Sequence, residues 1–203
     1  MRHSTSTRAL VTATALSGAA AVAVLAGGPA ATAAAGDSTT TFRLAVNPAT
    51  AKCLAKPGST PTASVTVRGG QLNETATITA RGLKPGLDFD VFTVQRSFFD
   101  ASFRAHHKSF GLAWYQSDLH AGTTGTASTT IKTILLHQIF GFDADTGLAP
   151  TNTFHLGFWF NRPADAAACG FIGSTPFNGE HHAGPVAMIS TSNARGVGPL
   201  QIR

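Results

Sequence analysis

Thr153-Phe154-His155-Leu156-Gly157-Phe158-Trp159-Phe160 alternates without interruption. Successive side chains of an extended chain point to opposite faces, so Phe154, Leu156, Phe158 and Phe160 share one face and His155, Gly157 and Trp159 the other. Large apolar residues at every second position predict a strand with that face packed into a core. Outward from this stretch the same period of two recurs in short runs. Phe42 to Val46 is the first, and Ser64 to Arg68 places Val65 and Val67 between polar neighbours before Gly69-Gly70 breaks the run. Thr75, Thr77 and Thr79 interleave with Ala76, Ile78 and Ala80, and β-branched threonines suit a pleated surface. Lys84-Pro85-Gly86 reads as a turn, after which Leu87, Phe89 and Val91 face one way and Asp88 and Asp90 the other.

Further runs fall at Leu112 to Tyr115, Thr126 to Leu136, Gly184 to Ser190 and Val197 to Ile202. The run from Thr126 is double-valued: Ala127, Thr129, Ile131 and Thr133 alternate, while Ile131, Ile134, Leu135 and Ile139 stand at helical spacing. About eight short strands punctuated by Gly and Pro predict an all-β fold, an antiparallel β-sandwich or a partly open barrel.

Of the 203 residues, Met1 to Ala35 read as a secretory signal peptide, leaving 36–203 as a single β-sandwich domain. Arg2, His3 and Arg8 precede a small, apolar run from Ala9 to Gly28, and Ala33-Ala34-Ala35 supplies small residues for cleavage. No later stretch approaches the length of a membrane span, so the expectation is a secreted, extracellular protein without a membrane span once the signal is removed. Fifteen Lys and Arg against ten Asp and Glu, less the two arginines of the signal, leave a mature balance of +3, which gives no nucleic-acid footprint. Cys53 and Cys169 are the only cysteines, and an even pair in an oxidising compartment predicts a disulfide. Closing so long a loop is worth roughly 4 to 5 kcal/mol in the chain-entropy model.

Histidine is the unusual residue: His106-His107, His120, His137, His155 and His181-His182 remain after the signal. Imidazole is the commonest metal ligand, although no His-x-His, His-x-x-x-His or His-Glu-x-x-His occurs. A metal site, if built, draws on Glu180, His181 or His182, with His155 or His106 opposite. Asp143-Ala144-Asp145-Thr146-Gly147 matches only the first half of a calcium loop and reads as a polar turn. Asp88 and Asp90 read as solvated carboxylates on an edge strand. Trp114, Tyr115 and Trp159, with Phe98, Phe99 and Phe103, could line a binding face, with core packing as the simpler role. Neither a Gly-x-Ser-x-Gly elbow nor a Gly-x-x-x-x-Gly-Lys phosphate loop is present, and Asn73-Glu74-Thr75 matches a glycosylation sequon.

Gly82-Leu83-Lys84-Pro85-Gly86-Leu87, the Gly/Thr turn into Thr126 to Ile131, and Ala168-Cys169-Gly170-Phe171-Ile172-Gly173 together resemble the secreted copper/zinc superoxide dismutase sandwich. The resemblance spans Thr62 to Gly173. It implies a shared antiparallel β-sandwich of Greek-key or superoxide-dismutase/immunoglobulin-like type, with His155 near the family's late copper-ligand strand. The departures are large. Asp88-Phe89-Asp90-Val91-Phe92-Thr93 stands where the family has His-x-His, and Cys53 precedes the turn that the family's partner cysteine follows. The leading expectation is therefore a secreted, non-catalytic binding or envelope-associated β-sandwich protein with an unassigned extracellular ligand. The alternative is a copper- or zinc-binding, dismutase-like protein whose metal site is lost or relocated.

Overall fold

A computed structural model describes residues 38–70, 73–97, 99–100, 110–133, 153–173, 185–193 and 195–201. Every described residue belongs to one compact unit, Ala34–Arg203. Among the described residues nine strands follow in order: β1 (Thr39–Val46), β2 (Thr62–Arg68), β3 (Glu74–Arg81), β4 (Asp88–Val94), β5 (Ala113–His120), β6 (Ala127–Thr133), β7 (Thr153–Phe160), β8 (Val186–Ile189) and β9 (Leu200–Gln201). Two short helices accompany them, α1 (Ala51–Leu54) after β1 and α2 (Pro163–Ala168) after β7.

Eight strands form one continuous path, β5-β4-β7-β8-β1-β2-β3-β6, and β9 pairs with β7 beside it. Every pairing between these strands is antiparallel. β1 is the link between two halves: Thr39 to Leu44 pair with β2, whereas Ala45 and Val46 pair with β8. The sheet curls until its two ends meet, where the Ser117 and Thr129 hydroxyls of β5 and β6 lie 3.0 Å apart. This near-barrel closure shields the edges that an open sheet would expose. The mostly antiparallel β-fold expected from sequence is present. The chain uses one curled sheet to enclose its core.

Inward residues of both halves form one cluster, with Val65, Val67, Ile78 and Ile131 meeting Phe89, Val91, Leu156, Phe158 and Phe160. Phe89 packs against Phe158 and Phe160 at ring-centroid distances of 4.9 and 5.2 Å. The strand read from Thr153 to Phe160 keeps those bounds, and its opposite face is covered as well. Trp159 joins Phe92, Val94, Val186 and Ile189 in a second buried cluster, against which Phe99 and Phe110 pack. Gly157 is required here by close approach. A Cβ at this position would stand 2.8 Å from the Met188 carbonyl oxygen and 2.9 Å from Ile189 Cγ1.

β4 corrects an expectation. It lies inside the sheet, between β5 and β7, so Asp88 and Asp90 are not edge carboxylates. Asp90 is only 5% exposed. The run from Thr126 resolves as a strand over Ala127–Thr133, and its helical alternative from Ile134 onward lies outside the described residues. Neither short helix was legible in the periodicity. Pro163 opens α2, where a fixed φ and a missing N–H cost nothing, and Asp165 adds a carboxylate to its first turn. The helix ends at Cys169, which is bonded to Cys53 within α1, with Cα atoms 5.3 Å apart.

Candidate functional site

Three places on the described chain bring polar groups together. The first surrounds His155, which stands opposite Val94 in the β4–β7 pairing and is 1% exposed. Its Nδ1 lies 3.0 Å from the Ser190 carbonyl oxygen and 3.1 Å from Ser190 Oγ, while Nε2 lies 3.4 Å from Ser192 Oγ. Gly198 closes over the ring, since a Cβ there would stand 2.9 Å from Nε2. Both ring nitrogens thus meet polar groups within the core, as buried polar atoms generally do. Glu180, His181, His182 and His106, the other candidate metal ligands, lie outside the described residues. Among the described residues no group of three His, Cys, Asp or Glu side chains stands ready to hold a metal ion.

The second place is the outer face of β4 and β5. Asp88 stands opposite His120 and Asp90 opposite Asp118. His120 Nδ1 contacts Asp88 Oδ1, and Arg162 Nη1 lies 3.3 Å from Asp88 Oδ2. Asn161 donates to Asp90 Oδ1 at 2.6 Å, and Tyr115 donates its hydroxyl to Asp118 Oδ1 at 2.8 Å. Burial pushes the Asp90 carboxyl up, Asn161 pulls it back, and the like charge of Asp118 raises it again. The native state therefore holds the Asp90 proton more tightly than the unfolded chain does. The sign follows: the contribution of this group to stability is greatest in acid and declines as pH rises from the ordinary carboxylate range through the raised native value. Asp90→Asn keeps an oxygen for Asn161 and removes the charge, so its unfolding free energy relative to wild type should improve between acid and neutral pH. Urea titrations at a series of pH values measure this, and a constant difference would refute it.

Tyr115 is the chain's single tyrosine and is 54% exposed. Partial desolvation, the bond to Asp118 and the charges of Asp118 and Asp90 push its hydroxyl up to about 12. Phenolate absorbance against pH should show one transition near that value, and Asp118→Asn should return it toward the ordinary value near 10. An unchanged transition in the variant would remove Asp118 as a cause.

The third place is the outer face of β1, β2, β3 and β6. Thr41, Thr66, Thr77 and Thr130 align in one row across the four strands. Within it the hydroxyls of Thr41 and Thr66 lie 3.2 Å apart and those of Thr77 and Thr130 3.1 Å apart. The next row toward one end reads Arg43, Ser64, Thr79 and Ser128, and the next toward the other reads Thr39, Arg68, Thr75 and Lys132. Arg81, opposite Thr62, extends the face by one more row. Each of these residues alternates with a buried or half-buried neighbour, and Arg43, Arg68, Arg81, Thr130 and Lys132 are exposed.

No family model and no curated protein matches the chain. Function therefore rests on these three places. Sequence put His155 on the correct strand face but gave no sign of Ser190 and Ser192 beneath it. Trp159 is a core residue, Trp114 packs edge-on against Phe154, and Phe99 covers the second cluster; Phe98 and Phe103 lie outside the described residues. Asp143 and Asp145 lie there too. The carboxylates of β4 and β5 already meet partners from their own chain. The hydroxyl and cation rows were unrecognised in sequence. Their signal was the repeated Thr-x-Thr, but only the strand register gathers it into a surface.

Proposed function

We propose that the chain is an exported, disulfide-closed, non-catalytic binding or envelope-associated protein, its curled sheet acting as a partly open sandwich. The observation that carries this reading is the outer face of β1, β2, β3 and β6, where every outward position from Thr39 to Arg43, Thr62 to Arg68, Thr75 to Arg81 and Ser128 to Lys132 is Thr, Ser, Arg or Lys. Such a surface presents hydrogen-bond donors and acceptors in ranks without a reacting group among them. The Cys53–Cys169 bond supports export, because disulfides persist in oxidising compartments. The small-residue run before Gly36 supports it too. No described helix is long and apolar enough to cross a membrane.

The test is expression of the full chain in a secreting host. Intact mass of the supernatant protein should correspond to a start near Gly36 with both cysteines oxidised, and the protein should be retained on isolated cell-envelope material. Cell-bound chain that still contains Met1, or passage of the secreted protein through envelope material without retention, would overturn the reading. Stoichiometric copper or zinc in untagged protein would replace it with the metal-binding alternative.

A further inference from the structure

We propose that the outer face of β1, β2, β3 and β6 binds an acidic polysaccharide, with Arg43, Arg68, Arg81 and Lys132 meeting its carboxylates and the intervening hydroxyls meeting its sugar rings. This deepens the binding reading above and rests on it. The four cations are distributed around the face. Arg68 and Lys132 occupy one row on strands two apart, about 9 to 10 Å from each other by strand spacing. Arg43 lies two rows along on β1, and Arg81 three rows along on β3, about 20 Å from the Arg68 row by strand rise. Between them Ser64, Thr66, Thr77 and Thr79 make a central hydroxyl field.

Charge decides the sign of the partner. The outward positions of these four strands include four cations and no carboxylate, and Glu74, the acid at the start of β3, is buried on the inner side. The chain's described carboxylate cluster, Asp88, Asp90 and Asp118, stands on the other half of the sheet. A partner of matching charge is held here and turned away there.

Hydrogen-bonding chemistry decides the class. A hydroxyl both donates and accepts, so a field of Thr and Ser matches a polymer whose own surface is mostly hydroxyl. A guanidinium fork pairs with a carboxylate through two parallel bonds. A lipid surface calls for apolar side chains to bury, and single-stranded nucleic acid for aromatic rings to stack on. The face presents Thr, Ser, Arg and Lys at every outward position and so favours the glycan. A polymer that repeats its carboxylates along its length gains avidity from contacts that are individually weak.

The experiment uses the full disulfide-bonded chain with polygalacturonate, neutral dextran and single-stranded DNA as probes. Polygalacturonate should bind and dextran should not, and affinity should fall at least tenfold on moving to about 1 M salt, where the screening length shrinks to about 3 Å. Replacing Arg43, Arg68, Arg81 and Lys132 together by Gln should weaken binding at least about tenfold, while replacing Lys52, Lys56, Lys84 and Arg195, which lie off the face, should leave it within about twofold. Thr66→Val with Thr77→Val should cost about threefold or more, as expected for two lost hydrogen bonds to the ligand. All these positions are at the surface, and thermal unfolding confirms that each variant is folded. Equal losses in the two four-charge variants would overturn the proposal, as would tighter binding of DNA than of polygalacturonate. Wild-type protein that ignores polygalacturonate yet stays on cell-envelope material would end this proposal and leave the binding reading standing. Retention on neither would end both.

Discussion

Replacing Cys53 and Cys169 by serine is expected to lower stability by about 5 kcal/mol. The two residues are 116 apart in sequence, and the chain-entropy model gives about this value for so long a loop at room temperature. For a domain of this size the loss corresponds to a fall in melting temperature of about 10 to 20 °C. The bond fastens α1, which lies between β1 and β2, to the end of α2, which follows β7. It therefore ties a helix lying between two strands of one half of the sheet to the end of a helix that follows a strand of the other half. Calorimetry of the oxidised protein with and without reductant measures the same effect without mutation. A melting temperature unmoved by reduction would contradict the prediction.

Phe158→Ala should cost about 3 to 5 kcal/mol, the range for removing a fully buried aromatic ring. Phe158 stands opposite Val91 on one side and Met188 on the other, with the Phe89 ring 4.9 Å away. The surrounding strands are hydrogen-bonded on both sides and have little freedom to collapse into the space left behind. Domains of this kind have only about 5 to 15 kcal/mol in total, so the variant should sit near the margin of folding. Urea unfolding should show a large drop in midpoint at nearly constant slope. Thr77→Ala, on the solvent side of β3, should change stability by about 0.5 kcal/mol or less. Similar losses at both positions would mean that the inward and outward faces have been assigned incorrectly.

The strand over Thr153 to Phe160 was legible because its alternation is strong on both sides of the chain: large rings inward, and histidine, glycine and tryptophan opposite. The turn at Lys84-Pro85-Gly86 and the cysteine pair were legible for equally local reasons. Position within the sheet was not. Alternation over Leu87 to Val91 fits an edge strand as well as a central one, and only the pairing of β4 with both β5 and β7 reveals why Asp90 is buried. The helices α1 and α2 span four and six residues, too few for a helical period to emerge. The hydroxyl face was hidden by distance along the chain. Thr41 and Thr66 are 25 residues apart, and Thr77 and Thr130 are 53 apart, yet each pair touches across neighbouring strands. His155 shows the converse limit. Its face could be read from its neighbours, but the residues that cover it, Ser190, Ser192 and Gly198, belong to a different part of the chain.

Covalent footprinting with an acidic glycan would report which surface of the folded protein the ligand covers. Arginine-selective and amine-selective reagents would be applied to the disulfide-bonded protein with and without polygalacturonate. Arg43, Arg68, Arg81 and Lys132 should be protected, while Lys52, Lys84 and Arg195 should react at unchanged rates. Protection confined to those off-face residues, or to Arg162 beside Asp88, would contradict the account.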